Sequence, residues 1–211
     1  MVAFEFLGES YEYFSHKYNN TWKNERAIEV PIMWKIVKGC RGRVLEVGNV
    51  LSHYCPISHD VVDKYELEAG VINEDIIDFR PMYKYDLIVS ISTLEHVGWD
   101  EKPQDSSKVL VAIQNMKTNC LADGGTMVLT MPLGYNPEVD RLLAESILDL
   151  GRKYYMKRLS IDNEWRQTDW FGVKGTKYGT PFPCANAIVI SIFEEEDPAL
   201  FSLIWSSQWR K

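Results

Sequence analysis

Apolar positions change their spacing several times along this chain, and each change marks an element. "RVLEV" (43–47), "DVVDKY" (60–65) and "DLIVSIS" (86–92) are short runs of mostly Val, Ile and Leu bounded by polar residues. They predict buried strands. Between 106 and 122, "SSKVLVAIQNMKTNCLA" instead places Val109, Leu110, Ile113, Met116 and Cys120 on one helical stripe behind a serine cap. "GGTMVLTMP" (124–132) opens with a glycine stop and returns to a strand. "PEVDRLLAESILDLG" (137–151) has proline in its first turn, acids near its start and glycine at its end, the punctuation of a helix. Further strands are expected near 154–160 and at "NAIVISIF" (186–193). Residues 21–38, "TWKNERAIEVPIMWKIVK", read as helical in part, with Ile28, Ile32 and Ile36 on one face and Pro31 expected to kink or split the segment.

Buried strands alternating with helices predict an α/β fold, with a doubly wound, parallel or mixed sheet covered by helices on both faces. No internal repeat or linker interrupts the 211 residues, so one compact domain is expected, with 1–42 as an N-terminal helical or lid segment before the main body at 43–211. The net charge of −7, without a Lys/Arg cluster, argues against nucleic acid as a partner, because neutralising phosphates needs a basic face. Small or neutral substrates suit it better. Cys40, Cys55, Cys120 and Cys184 are scattered without a C-x-x-C pair, so neither a metal site nor a redox pair is expected. The acidic N-terminus and the lack of a long apolar run predict a cytoplasmic protein with no membrane partner.

Ligands of a doubly wound sheet bind at the carboxyl ends of the strands, and polar residues gather there. Gly48, Asn49 and Ser52 follow the first strand; Asp63, Tyr65 and Glu66 follow the second; Ser92, Thr93, Glu95 and His96 follow the third. "PLGYNP" (132–137) follows the fourth. The order "VLEVG", "VVDKYE", "INEDIIDF", "YDLIVSISTLEHVG" and "LADGGTMVLTMPLG", over roughly 43–135, resembles the motif series of class I S-adenosylmethionine-dependent methyltransferases. It is similar to their small-molecule branch, and more distantly resembles methyltransferase-like proteins of glycan or surface-polysaccharide synthesis.

The resemblance implies a Rossmann-like, mostly parallel seven-stranded sheet with an antiparallel C-terminal strand. It also implies S-adenosyl-L-methionine as cofactor and a small-molecule acceptor. Residue by residue, Gly48 would let the backbone approach the methionine part, with Asn49 beside it in the loop. Glu46 would help hold the amino group, and Asp63 would accept from the ribose hydroxyls. Asp75 would lie beside the adenine amino group with Ile76 on the ring, and Ser92 would close over the methionine moiety.

The loop departs from the family's G-x-G-x-G: it reads Gly48-Asn49-Val50-Leu51-Ser52. The distance from Gly48 to Asp63, with Pro56 inside it, leaves no room for an ordinary crossover helix. Such a loop suits a cofactor without pyrophosphate better than a dinucleotide.

His96, at the third strand's exit, is the candidate general base, with Glu95 beside it. Tyr135, Asn136 and Trp99, and with them Asp100, are placed beside an acceptor pocket, while Tyr18, Asn19, Trp22 and Arg26 are candidates for a lid. Residues 165–183, with Trp165 and Trp170, read as a long irregular functional loop. The expected activity is methyl transfer to oxygen or nitrogen of a small molecule, with a sugar among the candidate acceptors. The alternatives are a non-catalytic binding or scaffold member of the same fold, or a nicotinamide-dependent oxidoreductase. The "STLEH" stretch lacks the D/N-P-P-Y motif of a DNA adenine methylase.

Overall fold

A computed structural model describes residues 3–194. In chain order its elements are β1 (Ala3–Phe6), β2 (Glu9–Glu12), α1 (Arg26–Gly39), β3 (Val44–Val47), β4 (Asp60–Val62), β5 (Val71–Ile72) and β6 (Tyr85–Ile91). They continue with α2 (Lys108–Asn115), β7 (Leu121–Pro132), α3 (Pro137–Ala144), β8 (Arg152–Arg158), β9 (Trp165–Thr168), the single turn α4 (Trp170–Val173) and β10 (Ala187–Glu194). β1 and β2 form a separate hairpin, and the other strands form an eight-stranded sheet in the order β5-β4-β3-β6-β7-β10-β8-β9. β5, β4, β3, β6 and β7 run parallel; β10 is antiparallel to both of its neighbours, and β9 to β8.

The sheet thus has eight strands where seven were expected. The additional strands relative to the apolar pattern are β5, only two residues long, and β9, which falls in the segment read as irregular loop. β9 forms because "WRQT" pairs with β8 from Tyr155 to Arg158, and its Trp165 is buried.

The pleat sorts the side chains into two cores. On one face Leu45, Ile88, Met127, Leu129 and Val189 meet Val109, Ile113 and Met116 of the α2 region and Val139, Leu142 and Leu143 of α3. On the other, Leu87, Val89, Ile91, Ile188 and Ile190 meet Ile28, Ile32 and Met33 of α1 and Phe4, Phe6 and Tyr11 of the hairpin. Helices therefore do lie on both faces, but unevenly. Between β3 and β4 there is only a 3-10 turn at Leu51–His53, as the short spacing from Gly48 to Asp63 predicts.

Segment 1–42 is not simply helical, since its first described residues form the hairpin. Nor does Pro31 split α1. Proline removes the donor that would reach the carbonyl of Ala27, but the N–H of Phe14 takes that carbonyl at 2.8 Å, so nothing is left unpaired. α2 stops at Asn115 and passes through a wider π turn (Met116–Cys120) into β7, and Ser107 makes no side-chain cap. α3 ends at Ala144, short of the predicted 151.

Asn163, in a left-handed conformation (φ 64°), joins the N-terminal segment to the β8–β9 hairpin. Its amide donates to the Asn24 carbonyl and its oxygen accepts from the Trp165 indole, both at 2.8 Å. Asn163→Ala should cost about 2–4 kcal/mol, because it orphans two buried groups. Asn163→Gly should recover only the backbone part, about 1 kcal/mol. Urea denaturation of the three proteins checks both outcomes.

Candidate functional site

β4 lies on one side of β3 and β6 on the other, so the chain changes direction across the sheet between β3 and β6. Crevices form at such switch points. Here a cavity of about 420 Å³ opens at the carboxyl ends of β3, β4 and β6, lined by Gly48, Asn49, Asp63, Asp75, Ile76, Ser92 and His96 among others. These seven sequence-predicted residues meet there, and Asp100 is an eighth.

Gly48 has φ +84°, and a Cβ at this position would overlap the side chain of Thr93. The turn therefore requires glycine, which keeps the backbone bare toward the crevice. Asp63, directly after β4, accepts from the Asn49 amide through Oδ2 at 3.1 Å and from the Tyr65 and Glu66 amides through Oδ1 at 2.8 and 2.9 Å. It ties the loop after β3 to the loop after β4. A carboxylate has about four acceptor positions, so one remains on Oδ2.

Glu46 stands differently from its expected role. It is fully buried and does not line the crevice: Oε1 accepts from the Val50 and Leu51 amides at 2.9 and 2.8 Å, and Oε2 pairs with His59 Nε2 at 2.8 Å. It shapes the loop from behind. Asp75 lines the crevice, but its Oδ2 is paired with Lys64 at 2.9 Å. Ile76, 5% exposed, provides an apolar wall.

Ser92 sits at φ 41°, an unusual value for a residue other than glycine. It is held there by its N–H to the Thr130 carbonyl at 3.0 Å, its hydroxyl to Glu29 Oε1 at 2.6 Å, and its carbonyl accepting from Arg26. Arg26 also pairs with Glu29, so α1 clamps the backbone that follows β6. Arg26 thus acts from beneath rather than as a lid. Tyr18 stacks on His53 with ring centroids 4.4 Å apart, and Trp22 lines a separate hollow with Tyr13 and Phe14.

His96 lines the crevice, and its Nδ1 is hydrogen-bonded to Asp100 Oδ2. Tyr135 donates to the same oxygen at 2.7 Å, and its ring meets the His96 ring edge-on at 4.7 Å. Burial pushes the Asp100 carboxyl up, but the His96 and Tyr135 hydrogen bonds outweigh it and hold the group below its ordinary value. Burial and the hydrogen bond to Asp100 push the Tyr135 phenol upward. Glu95 is 1% exposed and lies behind this group, with Oε1 3.6 Å from His96 Nε2 and Oε2 without a partner among the described residues. Burial drives its carboxyl well above the ordinary range, and Glu29 and Glu25 add to the shift against the pull of Arg26.

Two of the expected acceptor-side residues are placed elsewhere. Asn136 is buried, caps α3 by accepting from the Glu138 and Val139 amides, and donates to the Glu95 carbonyl at 2.9 Å. Trp99 does not line the crevice; its N–H donates to the His96 carbonyl. Thr93 and Glu101 also line the crevice; Thr93 belongs to the polar cluster after the third predicted strand, while Glu101 carries no comparable sequence signal. Glu101 bridges Lys64 and Lys108 at 3.0 and 2.5 Å.

Burial alone would raise Glu101, but the Lys108 and Lys64 hydrogen bonds lower it from 4.5 to about 2. The folded-state value lies below the unfolded one, so this stabilisation is complete above pH 4.5 and is lost as pH falls toward 2. Lys108→Met should lower stability at neutral pH and make the loss between those two pH values shallower. Urea unfolding across a pH series measures it.

No family model and no curated protein sequence matches the chain. Among solved structures it is similar to the N-methyltransferase NodS from Bradyrhizobium japonicum in complex with S-adenosyl-L-homocysteine, at 16% identity and a TM-score of 0.51, over 82% of this chain and 88% of that one. It matches more loosely the 1,6-didemethyltoxoflavin-N1-methyltransferase of Burkholderia thailandensis, at 10% identity and a TM-score of 0.47, over 79% and 76% of the two chains. The chain has the fold of the class I S-adenosylmethionine-dependent methyltransferases.

Proposed function

We propose that the protein moves a methyl group from S-adenosylmethionine to an oxygen or nitrogen of a small-molecule acceptor, a sugar or glycan precursor being the first class to test. The observation that carries this reading is the junction at the switch point. There Gly48, in a left-handed turn with Thr93 packed where a Cβ would go, brings bare backbone to the crevice next to an Asp63 carboxylate with acceptor capacity to spare. The cavity's size lies within the ordinary range for small-ligand sites. The residues fit the cofactor: Asp63 would take the ribose hydroxyls, Ile76 the adenine face, and the backbone at Gly48 and Ser92 the methionine part. The bound cofactor supplies a methyl group activated by its sulfonium.

The chain's own contribution is to position the acceptor and take its proton. With Nδ1 donating to Asp100, the neutral His96 imidazole keeps Nε2 as its basic nitrogen. Tyr135, sharing Asp100, fixes the dyad's orientation. Trp99 and Asn136 support this loop from outside the cavity. The chain's own charge and crevice chemistry suggest neither nucleic acid nor a membrane surface as partner. Among the described residues, no helix is long and apolar enough to cross a membrane.

A dinucleotide fits less well, because the Val50 and Leu51 amides that a pyrophosphate would need are already taken by Glu46. A second reading, a binding member without turnover, is favoured by the Lys64–Asp75 pair, which occupies the acid expected at the adenine edge.

Calorimetric titration should show binding of both S-adenosylmethionine and S-adenosylhomocysteine, and NADH should give no fluorescence change. Absence of heat with both S-adenosylmethionine and S-adenosylhomocysteine at millimolar concentration refutes the reading. Gly48→Ala should weaken binding at least about 100-fold, close to 3 kcal/mol. His96→Ala should leave binding within about twofold while methyl transfer drops by roughly 10²–10⁴. Weak cofactor binding together with no turnover on any acceptor selects the second reading.

A further inference from the structure

Behind the His96 end of the crevice the buried charges do not balance. Glu25, Glu29 and Glu95 are all buried around the single guanidinium of Arg26, which hydrogen-bonds Glu29 and the Ser92 carbonyl. Glu29 is also satisfied by Ser92, and Glu25 accepts from the Ala185 amide at 3.1 Å. Glu95 is the member left over: its Oε2 is buried without a partner among the described residues. In front of it, Asp100 spends Oδ2 on His96 and Tyr135, while Oδ1 has no partner among the described residues and the side chain is 46% exposed. The rings of His96, Tyr135 and Tyr178 follow one another edge-to-face, at 4.7 and 5.1 Å.

Buried carboxyls in excess of their cations call for a proton or a positive ligand. Aromatic faces beside carboxylates form a place where an ammonium is held by both charge and ring quadrupole. We propose that this end of the crevice takes the acceptor as an amine in its cationic form, seated on Asp100 Oδ1 beside the His96 and Tyr135 rings with the Glu95 carboxyl behind. The inference rests on the methyltransferase reading and narrows it from oxygen or nitrogen to nitrogen: the bound ammonium gives one proton to the His96 base, and the lone pair so freed takes the methyl group as its bond to the sulfonium sulfur breaks, leaving the neutral thioether. A hydroxyl compound brings no charge to meet this field, and a phosphorylated or carboxylated acceptor meets repulsion. The amine class here is one without an anionic group close to its nitrogen.

The test loads the full-length protein with S-adenosylhomocysteine and then titrates matched pairs by calorimetry: glucosamine against glucose and glucose 6-phosphate, and ethanolamine against ethylene glycol. The expected result is amine binding at least about tenfold tighter than the neutral counterparts, with no binding of the phosphate. Asp100→Asn and the isosteric Glu95→Gln should each remove most of that preference, while affinity for S-adenosylhomocysteine stays within about twofold. If the cofactor product binds but amine and neutral partners bind alike, or neither binds, the acids serve only the cofactor's own positive charge and the amine inference is overturned. Tighter binding of the phosphate overturns it as well. Failure of the first titration, with S-adenosylhomocysteine alone, instead removes the methyltransferase reading beneath it.

Discussion

The Glu46 carboxylate, sealed inside the sheet, sets the geometry of everything above it. A buried charge is tolerable only when its oxygens are met, and here two backbone amides and one imidazole meet them. Those amides belong to Val50 and Leu51, so the chain leaving β3 must curl back over its own strand. The curl needs a left-handed residue at Gly48, and it delivers the Asn49 amide to Asp63. Two neighbouring parallel strands are thereby joined without a crossover helix, and the crevice owes its shape to that economy.

A second constraint comes from the opposite face. Arg26 and Glu29 of α1 hold the hydroxyl and carbonyl of Ser92, so the backbone that leaves β6 is fixed by a helix from another part of the chain. The loop then turns through Glu95 and His96 toward Asp100, and Tyr135 reaches across from the end of β7. The floor, the wall and the reactive edge of the crevice are thus built by different stretches of chain, each held by at least one buried polar contact. Such contacts are directional, and they specify position where apolar packing alone would allow sliding.

The parts of this arrangement that sequence reveals are those with strong local signals. β3, β4, β6, β7 and β10 are buried runs, and the sheet they form follows from their apolar pattern. β5 and β9 are not legible, because two residues carry no period and "WRQT" becomes a strand only by pairing with β8. Of the residues that line the crevice, Gly48, Asp63, Ser92 and His96 are legible from their places just after strands, whereas Ile76 is legible only through the family resemblance. Glu46 and Asp75 were readable as acids of the site, but not as acids already engaged, since His59 and Lys64 come into reach only in the fold. Asn136, expected beside an acceptor, caps α3 instead; an asparagine directly before the proline that opens a helix is the local signal that accounts for it. The link between His96 and Asp100 was also present as a four-residue spacing, which places both on one side of a helical turn.

The Phe14 N–H that takes the carbonyl abandoned by Pro31 has a wider meaning for how this chain is organised. A helix carrying an internal proline normally advertises a weak joint, yet here the missing rung is supplied by a residue outside the helix. The segment just after β2 and α1 are therefore fastened into one structural unit. Any rearrangement that shed the opening residues would reopen the defect at the proline, loosening the helix whose arginine steadies the edge of the crevice.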